Sequence, residues 1–275
     1  MIIRRGYSNG PEGQVHWRMA DPGNARSQPD LYCFSPAPFS SIAYANILPH
    51  LAQHRRVIAP DYPGQGGSDG GSASPSVEDY AASMLAVIDD LSGMSEVYAT
   101  GFHSGCLVAV EVALQRALAI KRVVLVDVPA FEPETRAKYL TLVGAPFEPT
   151  VELESLSKAW DMAVTKRSAI QPLEQCLALF ADTARNGPRM NATFHAAFTY
   201  DVETKFAALQ TPATILATKS MLLEPTRRAA QLVPNCDLVE VLDIQRSVLD
   251  ENAAITAGQI IAALQSSACE TPSSS

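Results

Sequence analysis

The sequence has no apolar run near the roughly 18 residues that a membrane-spanning helix needs, so a bilayer span is not expected. It has no surplus of positive charge either: 21 Lys and Arg stand against 29 Asp and Glu, a formal net charge of −8. That balance disfavours nucleic acid and anionic membrane surfaces as partners, because both repel an acidic chain. Paired cysteines are also missing. The five cysteines (33, 106, 176, 236 and 269) are odd in number, scattered and without a C-x-x-C pair. Reduced thiols in a cytoplasmic protein fit that pattern better than a disulfide framework. Met1–Arg5 has no apolar segment behind it, so no signal peptide is expected. No group of His, Cys, Asp or Glu has metal-ligand spacing, so no metal is expected. No glycine loop opens a helix as a phosphate cradle must. Gly64-Gln65-Gly66-Gly67 runs into Ser68-Asp69-Gly70-Gly71, not into an apolar helix. No cofactor is therefore expected. Internal repeats are absent too.

What is present is enough apolar material for a large core. Hydrophobic residues make up 47% of the 275 residues, which excludes global disorder. The length suits one domain of about 200–250 residues with an insertion, or two small ones. Residues 1–20 read as a hairpin, with Ile2, Ile3, Val15 and Trp17 around a turn at Ser8–Gly13. Short apolar strands follow at Leu31–Phe34, Arg56–Ala59, Val97–Thr100 and Arg122–Val126. Between them Ile42–Leu51 has helical spacing, and Ser76 with Asp79 resembles a capping box ahead of a helical face at Tyr80, Met84, Leu85, Ile88 and Leu91. Strands apolar on both sides, alternating with helices, indicate a mostly parallel sheet covered on both faces. From 132 to 209 the alternation stops and the pattern is helical, broken by Gly144, Pro146, Pro149, Pro172 and Gly187-Pro188. That segment reads as an inserted helical cap. Residues 1–131 and 210–265 then form an α/β core, with a strand at Ala213–Ala217, a helix at Thr226–Leu232, a strand at Leu238–Leu242 and a last helix at Glu251–Leu264. The polar tail 266–275 is expected to be disordered.

The chain turns on Ala99-Thr100-Gly101-Phe102-His103-Ser104-Gly105-Cys106. A strand, a tight turn with small residues and a helix make the context of a nucleophile elbow, usually spelled G-x-S-x-G. Here the frame is Gly101-x-His103-x-Gly105, and histidine holds the central place. A second motif is Val57-Ile58-Ala59-Pro60-Asp61-x-Pro63-Gly64-x-Gly66-x-Ser68-Asp69. Together these residues resemble the α/β-hydrolase superfamily, in its cap-bearing branch of esterases, epoxide hydrolases and haloalkane dehalogenases, over roughly residues 13–264.

The resemblance implies an oxyanion hole made by the backbone N–H groups of Ala37 and Ser104, neither of them proline. It also marks what has changed. Ser35-Pro36 stands where the family has a His-Gly pair. Thr218-Lys219-Ser220-Met221 holds no carboxylate where the family's acid often sits. Arg246 falls near the family's histidine position, and no histidine follows His195. One acid position of dehalogenase-like relatives remains, at Asp127 after Val123–Val126. His103, held by Asp127, is thus the expected catalytic base. The hydroxyl of Ser104 is expected to point towards the helix. Asp61 reads as a structural carboxylate binding loop amides. His16, His50 and His54 read as surface or helix-end residues.

His195, on an aromatic helix of the cap, reads as packed or as lining a substrate pocket. Arg246 is a candidate to bind a substrate carboxylate, and its charge is expected to lower the pKa of His103 while Asp127 opposes that shift. Two readings of function follow. One is an enzyme acting on a small organic molecule, by hydrolysis of an ester, lactone or similar bond, or by cofactor-free proton abstraction with bond cleavage. The other is a catalytically inactive hydrolase-like protein that binds a small apolar ligand. A small molecule is the expected partner in both, and a homodimer is left open.

Overall fold

The computed structural model describes residues 1–168 and 171–266. Cys269 and the tail beyond Ser266, expected to be disordered, lie outside the described residues. The strands are β1 (Ile3–Gly10), β2 (Gly13–Ala20), β3 (Leu31–Phe34), β4 (Val57–Pro60), β5 (Val97–Phe102), β6 (Ile120–Val126), β7 (Ala213–Thr218) and β8 (Cys236–Val241). The helices are α1 (Leu48–Leu51), α2 (Val77–Ser92), α3 (Gly105–Gln115), α4 (Pro133–Val143), α5 (Ser157–Trp160), α6 (Leu173–Ala184), α7 (Ala192–Thr199), α8 (Val202–Ala207), α9 (Leu223–Leu232) and α10 (Ala253–Gln265). Asp161–Thr165 forms a π-helical turn.

One eight-stranded sheet runs in the order β1-β2-β4-β3-β5-β6-β7-β8. Only the pairs β1–β2 and β2–β4 are antiparallel. This is the mostly parallel, doubly covered sheet that the apolar runs indicate, and β3 shows why they lack alternation. Its four residues are all fully buried. Tyr32 and Phe34 pack with residues of α2 and α3 on one face, while Leu31 and Cys33 pack with those of α1 and α10 on the other. A two-residue period in a doubly covered sheet leaves no face for polar residues. The edge strand β8 is covered less, and its four central residues are exposed.

Local signals explain the remaining element ends. Ser76 accepts from the amide of Asp79, whose carboxylate accepts from the amide of Ser76, so the expected capping box is formed. The first hairpin is tighter than expected, with only Pro11 and Glu12 between its strands. Ile42–Leu51 is not one helix. It splits into a 3₁₀ turn at Ser41–Tyr44 and the short α1, with Pro49 in the first turn of the latter.

The strand order matters for function. The chain goes from β3 outward to β4, then returns across β3 to β5. That reversal at the β3/β5 boundary is the switch point where open α/β sheets leave a crevice beyond their carboxyl ends. Register aligns Phe34 with Gly101, Phe102 with Val126, and Val126 with Leu216. The loops after β3, β5, β6 and β7 therefore emerge side by side.

Candidate active site

The turn between β5 and α3 is built by close approach. A Cβ on Gly101 would overlap the backbone of Gly105 and Cys106, and one on Gly105 would overlap the carbonyl of Phe34. With both glycines the turn closes, and His103 is left in the left-handed region at φ 51°. Its amide donates to the carbonyl of Val126 at 3.0 Å, which extends the β5–β6 ladder by one step. Three described non-glycine residues have positive φ: His103, Asp127 at 52° and Ser247 at 47°. All three line one cavity of about 670 Å³. Backbone strain of about 1–3 kcal/mol per residue persists only where the surroundings impose it, and it gathers at functional sites.

The imidazole of His103 faces this cavity and packs on Phe102, with ring centroids 4.0 Å apart. Burial lowers its pKa from 6.5 to about 4, and the charge of Asp127 acts against that shift. Arg246 is not among the causes, so the expected influence of its charge on His103 is corrected: Arg246 is exposed, and water screens it. The expected hold of Asp127 on His103 is corrected too. Asp127 is fully buried and spends its carboxylate on Thr218, accepting from the Thr218 amide at 2.8 Å and from its hydroxyl at 2.6 Å. Among the described residues, neither ring nitrogen of His103 has a hydrogen-bond partner.

The Ser104 hydroxyl does not point along the helix as expected. It accepts from the amide of Ala37 at 2.6 Å. One of the two amides expected to form an oxyanion hole is thereby occupied from within. The other, on Ser104 itself, has no partner among the described residues.

Arg246 does line the cavity, together with Lys166 and Arg167. Neither Lys166 nor Arg246 has a carboxylate partner among the described residues. Two acids face the three cations, and both are already hydrogen-bonded. Asp127 is held by Thr218, and Asp250 accepts from Asn46, Gln171 and Gln175. His195 is half-buried on α7 and is not among the cavity-lining residues. Asp61 binds loop amides, those of Ser41 and Gly67, both at 2.8 Å. It also meets Nδ1 of His16 at 2.8 Å. His16 is thus buried, not superficial. Reading the sequence missed Thr218, Lys166, Arg167 and Asp250. Thr218 had a usable signal, since it ends the strand that pairs with the strand leading to Asp127. The described residues contain no group of three or more His, Cys, Asp or Glu able to hold a metal ion, and no helix long and apolar enough to cross a membrane.

A family model for the alpha/beta hydrolase fold matches residues 36–163, the stretch from the loop after β3 through β6 and beyond. This is the α/β-hydrolase fold. Solved structures agree along the whole α/β-hydrolase frame. A hydrolase from Pseudomonas aeruginosa superimposes with a TM-score of 0.77 at 17% identity, covering 96% of this chain and 99% of the other. The enol-lactonase from Burkholderia xenovorans gives a TM-score of 0.77 at 20% identity, covering 95% and 100%. An epoxide hydrolase from Vigna radiata gives 0.74 at 15% identity, covering 94% and 97%. At such identities the similarity speaks to the α/β-hydrolase fold alone. No curated protein matches the chain significantly in sequence.

Proposed function

We propose that the chain is an enzyme that uses His103, at the place of the usual serine nucleophile, as a neutral base on a small anionic organic substrate. Hydrolysis of an ester, lactone or similar bond is the main reading. The observation that carries it is His103 itself, strained at φ 51° and facing a cavity of about 670 Å³. A base must be unprotonated to act, and burial keeps this imidazole neutral across the ordinary pH range. The substrate's carboxylate would lie among Lys166, Arg167 and Arg246. His103 would take a proton from water or from the substrate. The charge of Asp127 would favour the imidazolium that forms, without direct contact. The Ser104 amide would meet the developing anion, joined by the Ala37 amide once the Ser104 hydroxyl rotates away. In this reading residues 132–209 are a cap over the cavity, on a core of 1–131 and 210–265.

A second reading, a binding protein without turnover, is favoured by two observations. The Ala37 amide is occupied by Ser104, and Asp127 is occupied by Thr218. One experiment separates the two. Purified protein and His103→Ala are assayed against aryl esters and lactones, with and without a carboxylate. The enzyme reading expects steady turnover and a loss of at least about 100-fold in the variant. Turnover unchanged in His103→Ala sinks that role for His103. Tight binding with ligand recovered intact supports the binding protein.

A further inference from the structure

A second cavity, of about 460 Å³, lies among the helices between β6 and β7. Its apolar walls come from Leu142, Val143, Pro146, Phe147, Met190 and Phe194. Phe39 and Met162 line both this cavity and the one that holds His103. These two residues therefore form a shared wall. Met162 follows α5 in the π-helical turn and is 44% exposed. An unbranched thioether with three rotatable bonds swings aside at little cost.

The two cavities differ in charge. The second cavity, termed the upper one, with the cavity at His103 termed the lower, holds two carboxylates, Glu148 and Glu154, against one ammonium, Lys158. The lower one holds Lys166, Arg167 and Arg246 against two acids that are already hydrogen-bonded. An anion is therefore drawn to the lower cavity, and an apolar chain is left to the upper. Each volume is within the range of about 300–1,000 Å³ typical of small-molecule sites.

We infer that the upper cavity is a subsite for an apolar chain, entered past Phe39 and Met162, and that the ligand is an amphipathic carboxylate whose charged end sits in the lower cavity. The inference rests on the anionic reading of the lower cavity given above. Its test is calorimetric titration with linear carboxylates of increasing length, and with alcohols of the same lengths. Affinity for the acids rises about fourfold per methylene, the worth of one buried CH₂, until the upper cavity is full. Ala159→Trp, at a position lining only the upper cavity, abolishes that rise and leaves the shortest acids unaffected. Phe147→Ala enlarges the subsite and extends the rise to longer chains, so the subsite remains testable should the tryptophan variant fail to fold. Arg246→Gln weakens every acid by one factor and keeps the dependence on length. If alcohols bind as well as acids and Arg246→Gln changes nothing, the anionic reading fails while the apolar subsite stands. Affinity flat with chain length, or a rise unchanged in both upper-cavity variants, overturns the inference.

Discussion

The protonation of His103 gives the sharpest test of the site's electrostatics. Its pKa is about 6.5 in an unfolded chain and is lowered to about 4 in the folded protein by burial. Between those values the unfolded chain binds more protons than the folded one, so stability rises with pH. The stability that neutral His103 retains is complete above about 6.5 and is lost as pH falls towards the folded pKa. The steepest slope for one group is about 1.4 kcal/mol per pH unit. The perturbation is His103→Gln, which keeps a polar side chain and cannot titrate. Urea unfolding of both proteins from pH 7.5 down to pH 4.5 gives the difference in stability at each pH, which cancels contributions from other groups. The wild type is expected to lose stability relative to the variant below pH 6.5, with no divergence above it. Histidine NMR on the wild type reads the same pKa directly. Parallel curves would mean that solvent reaches the ring freely. Divergence of the opposite sign, with the wild type gaining as pH falls, would mean that Asp127 outweighs burial. Either result would refute the account of a neutral base.

Three further outcomes are expected. Gly105→Ala costs more than about 4 kcal/mol, or prevents folding, because its Cβ would overlap the Phe34 carbonyl; urea midpoints and soluble yield check this. Thr218→Val removes the hydroxyl donor of a fully buried carboxylate, and should cost about 1–3 kcal/mol in urea unfolding. Arg246→Gln lowers the preference for carboxylate-bearing over neutral substrates about two- to fivefold, as befits an exposed charge, with a weaker salt dependence. The acid limb of its rate profile should stay in place, since burial and not Arg246 sets the pKa of His103.

The sequence by itself determined the covered parallel sheet, the capping box of α2 and the closed turn at Gly101–Gly105. Each depends on residues a few positions apart, or on apolar runs whose burial follows from their own composition. It also pointed to Asp127 as a neighbour of His103 at one edge of the sheet, because the strand ends after β5 and β6 adjoin, and to Arg246 through the resemblance, near the family's histidine position. Tertiary structure alone decided which partners these groups take. Asp127 accepts from Thr218, 91 residues away, rather than from His103. Ser104 turns to Ala37, 67 residues away, and closes one amide. His16 is drawn inward by Asp61, 45 residues on. Lys166 and Arg167 join Arg246 only because the helices after β6 fold back over the β8–α10 loop. A hydrogen bond selects its acceptor by ångström-scale distance and angle, and those follow from register, rotamer and packing across the whole chain, none of which a local pattern records.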